Sequence, residues 1–152
     1  MYSDPNSVKR ISSLGAGPIG GGWTAHFLAR GYDVTAYLHD KSETNSFMSI
    51  LKTAWISLAE LGLAPSASMD RLRIVTDLEE ALDGADFVQE SGPERIEVKQ
   101  KLYSEMGKIL PPSIIIGSST SGLMMSDIQS DCSTPERTVI GHPFNPPYLL
   151  PL

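Results

Sequence analysis

The spacing of apolar positions changes repeatedly along this chain, from short strand-like runs to a 3.6-residue repeat and back. Residues 8–14 have Val8, Ile11 and Leu14 apolar with Lys9, Arg10, Ser12 and Ser13 among them, a short strand more polar than one buried on both faces should be. Residues 18–30 place Ile19, Trp23 and Phe27 at i, i+4 and i+8, with Ala25, Leu28 and Ala29 beside them. That stripe predicts a helix with one face toward a core, ended by Gly31. DVTAYL, residues 33–38, predicts a second strand. Residues 42–62 carry Phe47, Ile50, Leu51, Ala54, Leu58 and Leu61 in a helical pattern closed by Gly62 and Pro65. Residues 73–76 give a third strand, after which Asp77, with Glu80 three positions on, caps a brief helix that Gly84 stops. Residues 86–89 form a fourth strand ending in Glu90. Ser91 and Glu94 around Pro93 predict a capping box for a helix reaching about Leu110, with Val98, Leu102, Met106, Ile109 and Leu110 on one face. Pro111 and Pro112 break it, and the apolar run 114–116 reads as a buried parallel strand. A polar loop over 117–122, a weak helix near 123–130 and a last strand at 137–140 follow. Strands alternating with helices predict one domain over 1–152, an α/β fold with a doubly wound, mainly parallel sheet and helices on both faces.

The turn between the first strand and the first helix carries chemistry. Gly15, Gly17 and Gly20 spell G-x-G-x-x-G. In that fingerprint the first glycine turns the chain out of the strand, the second admits a diphosphate against bare backbone, and the third lets the helix sit close on the sheet. Gly15, Ala16, Gly17, Pro18, Ile19 and Gly20 are therefore candidate cofactor-binding residues, with the phosphates on free N–H groups at the helix N-terminus. Strand, turn, helix and second strand complete the β-α-β unit of a Rossmann-type domain, and the implied cofactor is NAD. Asp40 lies where the acidic residue of the fingerprint holds the adenosine ribose. Lys41 beside it leaves NADP open, and the two residues also make an ordinary solvated turn.

Composition excludes several classes. Formal net charge is −6, and no basic cluster is longer than Lys9-Arg10, so nothing attracts nucleic acid. One cysteine, Cys132, excludes an internal disulfide and fits a reducing compartment. MYSDPNS lacks the apolar core of a signal peptide, and no apolar run reaches membrane-spanning length, so a cytoplasmic location is expected. No metal-ligand pattern stands out.

In an open α/β sheet, ligands bind outside the carboxyl ends of the strands. The glycine turn follows the first strand, Asp40 the second, Glu90 the fourth, residues 118–121 the fifth and His142 the sixth, so the polar residues gather at one rim. His142 is suited to acid–base work near neutral pH, although a histidine there also serves as a structural hydrogen-bonder. Ser121 can equally cap the helix behind it, Asn145 can be turn chemistry, and Glu90 can be a plain strand-end carboxylate.

GAGPIGGGW, DFVQESGPER, SSTSGL and GHPFNPPYLLPL together resemble the cofactor domain of the 3-hydroxyacyl-CoA dehydrogenase family, over nearly the whole chain. The resemblance implies that His142, in the H-x-F-N-P block, is the catalytic base, and that Ser121 and Asn145 hold the substrate oxygen or the imidazole. It implies Glu90 near the nicotinamide end of NAD, and a small-molecule 3-hydroxy acid as substrate. Acyl-CoA thioesters, a sugar acid such as gulonate and a trimethylammonium hydroxy acid are all open, as is a non-catalytic NAD-binding module. The chain departs from the family at Leu38, where the ribose-binding acid normally ends strand two. The resemblance also implies a carboxylate partner for the histidine, and a helical substrate and dimerisation domain, beyond Leu152 in a homodimeric parent. The apolar tail 148–152 is expected to be exposed for such a partner surface.

Overall fold

Six strands form one sheet in the order β3-β2-β1-β4-β5-β6, and every ladder in it is parallel. They are β1 (Arg10–Leu14), β2 (Asp33–Tyr37), β3 (Leu72–Val75), β4 (Phe87–Glu90), β5 (Ile115–Ser118) and β6 (Thr138–Ile140). Helices α1 (Pro18–Ala29), α2 (Thr44–Leu61), α3 (Leu78–Leu82), α4 (Ile96–Ile109) and α5 (Met125–Ile128) lie between them. The computed structural model describes residues 4–151; the first three residues of the N-terminal stretch and Leu152 of the tail lie outside the described residues. The chain winds one way from β1 and the other way from β4, so the topological switch point falls between those two strands. No described helix is long and apolar enough to cross a membrane.

Side chains alternate across each strand, so the sheet faces two cores. One joins Ile11, Val34, Ala36 and Leu38 to Trp23, Phe27 and Leu28 of α1 and Phe47, Leu51, Ala54 and Leu58 of α2. The other joins Leu14, Val75, Val88 and Ile116 to Leu82 of α3, Tyr103 and Met106 of α4 and Ile128 of α5. The doubly wound expectation is met, and the polarity of β1 has its reason. Ser12 donates to the Ala81 carbonyl, and the Thr24 hydroxyl donates to Ser13 at 2.9 Å, so both buried serines are satisfied. Asp77 caps α3 as expected, accepting from the Glu80 N–H at 2.8 Å.

Several local expectations are corrected. Helix α1 is buried nearly all round rather than along one stripe. A Cβ on Gly21 would lie 2.7 Å from Ile50 of α2, and one on Gly22 would lie 2.8 Å from Pro147, so the extra glycines admit a helix and the C-terminal tail. Residues 41–43 form a 3-10 turn before α2, and Leu61 is 69% exposed rather than on its core face. The capping box at Ser91 and Glu94 does not form. Helix α4 begins at Ile96 with Arg95 as its uncapped N-cap, because both side chains find partners in the loop after β5. The buried residues of α4 are Lys99, Tyr103 and Met106, with Leu110 buried just beyond its end; Met106 and Leu110 are as expected, whereas Val98 and Leu102 are only partly buried and Ile109 is exposed. The tail is partly covered: Tyr148 packs against the first core, while Leu149 and Leu150 are exposed.

Candidate cofactor and catalytic site

Chain geometry makes the glycine turn. Gly15 leaves β1 with φ of 128°, a left-handed value that favours glycine, and a Cβ there would lie 2.4 Å from the Ser91 carbonyl oxygen. A Cβ on Gly20 would lie 2.1 Å from the Gly15 carbonyl oxygen, so α1 can approach the turn only with glycine there. Gly17 differs, because a Cβ on it would meet nothing within 4 Å. That side is open, and Gly17 is an N-cap with no side-chain hydrogen bond and no acidic residue in the turn behind it. Pro18 gives up no needed donor at the first helical position. An open cradle of bare backbone at the uncapped start of a 12-residue helix fits a dinucleotide diphosphate. Ile19 and Ala16 pack partly against the first core and fix the turn to the sheet.

At the end of β2, Leu38 is fully buried and its N–H is bonded to the Val75 carbonyl, so the residue leaving β2 offers no polar side chain. Asp40 is exposed, and its carboxylate accepts from the Ser42 N–H at 2.7 Å, closing a capping box with Glu43 over the 3-10 turn. The Ser42 hydrogen bond holds the Asp40 pKa below the ordinary value. Asp40 thus caps its own turn.

The imidazole lies on the same rim. His142 Nδ1 is 3.1 Å from the Ser119 carbonyl oxygen, which only accepts, so Nδ1 is the donor, and in the neutral ring Nε2 is the nitrogen that keeps its lone pair. The Ser119 hydroxyl in turn meets Trp23 Nε1 of α1 at 3.2 Å, which ties the His142 block to the glycine helix. Asn145 is exposed, and with Pro18, Ser49, Ile50, Thr53 and Tyr148 it lines a cleft running from the start of α1 toward that block. Ser121 is exposed on the loop after β5. His142, Asn145 and the glycine turn therefore share one edge of the sheet.

Glu90, expected at the cofactor, is instead fully buried. Its Oε1 accepts from Lys99 Nζ at 2.6 Å and the Gly92 N–H at 2.6 Å, and Oε2 accepts from the Ser118 hydroxyl at 2.6 Å. The reason is Lys99, which α4 places on its inner face with 1% exposure. Burial and then the Glu90 charge push the Tyr103 hydroxyl pKa up, so that group stays protonated beside the pair.

The carboxylate at the rim is Glu94, which the sequence pattern hid as a capping residue. Its Oε1 accepts from the Thr120 hydroxyl at 2.6 Å, the Ser121 N–H at 2.9 Å and the Gly122 N–H at 3.0 Å. It clamps the loop that presents Ser121. Partial burial opposes its ionisation, but the Thr120 hydroxyl, the Gly122 and Ser121 N–H groups and nearby Lys99 outweigh it and hold the pKa down to about 2. A depressed carboxylate contributes fully above its unfolded value and loses that contribution as pH falls from 4.5 toward about 2. Glu94→Gln is expected to flatten the pH dependence of urea unfolding in that window, by about 1–2 kcal/mol after screening of a side chain 42% exposed. An unchanged slope would mean that the clamp does not persist in solution.

Known proteins resemble this chain over most of its length. A family profile described as "3-hydroxyacyl-CoA dehydrogenase, NAD binding domain" matches residues 10–152. The L-carnitine dehydrogenase of Streptomyces coelicolor is 48% identical over 150 residues, which are 99% of this chain and 47% of that protein. The L-carnitine dehydrogenase of Pseudomonas putida is 46% identical over 145 residues, 95% of this chain and 45% of that protein. Among solved structures, an NAD+-dependent 5-formyl-3-hydroxy-2-methylpyridine 4-carboxylic acid 5-dehydrogenase superposes with a TM-score of 0.84 at 32% identity, covering 93% of this chain and 46% of that one. The 3-hydroxybutyryl-CoA dehydrogenase of Escherichia coli gives 0.82 at 28% identity, covering 92% and 30%. The chain spans just under half the length of the L-carnitine dehydrogenases that it matches.

Proposed function

Because the chain belongs to the 3-hydroxyacyl-CoA dehydrogenase NAD-binding domain family, we propose that it is the cofactor-binding part of an NAD-dependent 3-hydroxy-acid dehydrogenase acting on L-carnitine or a close relative. The single observation that supports this reading is the path from His142 through Ser119 to Trp23, which ties the imidazole to the glycine helix. Bound NAD supplies the hydride acceptor. His142 Nε2 takes the proton of the 3-hydroxyl, and its Nδ1–H, held by the Ser119 carbonyl, keeps the ring in the tautomer able to do so. Ser121 and Asn145 hydrogen-bond the substrate oxygen and hold C3 in line. Gly15, Ala16, Gly17, Pro18, Ile19 and Gly20 carry the diphosphate, and Asp40 serves the adenosine ribose. We place the substrate-enclosing and dimer-forming parts in the portion of such a protein that this chain does not include, and the whole in the cytoplasm.

Two features favour a trimethylammonium substrate over an acyl-CoA. Helix α2 offers only Lys52 to the phosphates of CoA, whereas Phe144 is 70% exposed two residues from His142, an aromatic face of the kind that attracts such a cation. The test has two parts. Calorimetric titration of the chain should give binding of NAD tighter than that of NADP, without useful turnover by the chain alone. The enzyme that carries this chain should reduce NAD with L-carnitine in preference to 3-hydroxybutyryl-CoA or gulonate. NAD binding with no reduction by any 3-hydroxy acid would establish the non-catalytic reading instead.

A further inference from the structure

The Ser119 hydroxyl sits among three partners: Trp23 Nε1 at 3.2 Å, Gln89 Nε2 at 2.9 Å and Ser91 Oγ at 2.8 Å. An indole N–H and an amide NH2 only donate. They occupy both lone pairs of the Ser119 oxygen, so the one proton of that hydroxyl goes to Ser91 Oγ. Ser91 is thereby made the acceptor of the pair. Its own proton is left without a protein partner, since among the described hydrogen bonds the Ser91 hydroxyl meets only Ser119.

The place of that proton in the fold gives it a use. Ser91 is the first residue after β4, as Gly15 is the first after β1, and the two strands flank the switch point where a dinucleotide crosses an open sheet. The Ser91 N–H is bonded to the Leu14 carbonyl at 2.7 Å, and its own carbonyl is the atom that a Cβ on Gly15 would strike. Ser91 is only half-buried there, beside the glycine turn.

We propose that Ser91 is a cofactor-binding residue, whose hydroxyl is polarised by the Ser119 hub to donate to an oxygen of the dinucleotide where it crosses between β1 and β4. The proposal rests on the dinucleotide site of the preceding section and adds to it a donor that neither the glycine fingerprint nor the strand-end acid supplies. The hub also explains why Trp23, Gln89 and Ser91 converge from α1, β4 and the loop after it. They set the direction of one hydrogen bond.

The test is NADH affinity, read by fluorescence titration of the chain, with melting temperature as the check on folding. Ser91→Ala should weaken NADH about five- to tenfold with an unchanged melting temperature, the loss that fits one directed hydrogen bond. Ser91→Thr, which keeps the donor, should stay within about twofold of the unsubstituted chain. Ser119→Ala releases the lock on Ser91 and should cost less than Ser91→Ala, and the double substitution should be no weaker than Ser91→Ala alone. ADP and ADP-ribose locate the acceptor. A loss shared by ADP assigns it to the diphosphate, and a loss seen with ADP-ribose but not ADP assigns it to the distal ribose. NADH binding that Ser91→Ala leaves unweakened overturns the proposal alone, whereas no NADH binding by the unsubstituted chain overturns the dinucleotide reading beneath it.

Discussion

Lys99→Met is expected to destabilise the chain by about 3–5 kcal/mol at neutral pH, the cost of leaving a buried charge without its partner. Glu90 is fully buried and Lys99 has 1% exposure, and their 2.6 Å contact is backed by the Ser118 hydroxyl and the Gly92 N–H on the same carboxylate. Methionine fills nearly the same volume, so the loss measures charge rather than a cavity. Lys99→Met with Glu90→Gln removes the orphaned charge, with the amide oxygen placed to accept from the Gly92 N–H and the amide NH2 to donate to the Ser118 hydroxyl, and should recover most of the loss. Urea unfolding reads both. A single substitution within about 1 kcal/mol of the parent would mean that water reaches the pair. The consequence extends past stability, because the bond from Glu90 to Gly92 and that from Lys99 to Glu90 brace the segment 91–95 from both ends. That segment carries Ser91 toward the glycine turn and Glu94 toward the Ser121 loop. Loosening the pair should weaken cofactor binding as well as folding.

What could be read from the residues, and what could not, divides by the distance of each side chain's partners. The glycine turn was legible because its demands are local. A positive φ at Gly15 and the approach of α1 at Gly20 are met within a few residues. Asp77 was legible for the same reason, since its partner lies at Glu80. The serines of β1 argued against a buried strand because what satisfies them, the Ala81 carbonyl and the Thr24 hydroxyl, comes from two different helices. Glu94 has the spacing of a capping box, yet it bonds Thr120, Ser121 and Gly122, more than two dozen residues away, and no local rule reports that competition. For a related reason, the burial of Glu90 was not legible. Glu90 and Glu94 both end or follow β4, and only Lys99 on the inner face of α4 decides which is buried. A signal for it was present: Lys99 and Tyr103 share a helical face with Met106 and Leu110, although a charged residue does not count as apolar in a hydrophobic repeat. Asp40 is a turn cap, which is the solvated-turn reading of it, and its partner Ser42 is two residues away.

Substituting the three fingerprint glycines one at a time should separate folding from cofactor binding. Gly20→Ala would drive a Cβ to 2.1 Å from the Gly15 carbonyl oxygen, and Gly15→Ala would set one 2.4 Å from the Ser91 carbonyl oxygen at φ of 128°. Backbone stands in the way in both cases, and no side chain can swing aside. Either substitution must push α1 off the sheet or the segment after β4 off the turn, at about 3 kcal/mol or more, with NAD binding lost as a result. Gly17→Ala is the contrasting case. At φ of −76° and with open space around its Cβ, alanine fits without strain, and stability should change by less than about 1 kcal/mol. NAD affinity should nevertheless fall at least about tenfold, because the methyl group then occupies the volume that the diphosphate needs against bare backbone. Thermal melts and calorimetric titration of the three variants distinguish the cases. If Gly17→Ala folds normally and binds NAD as the parent does, the open side of the turn is not where the cofactor lies, and the crevice shared with His142 has to serve a different ligand.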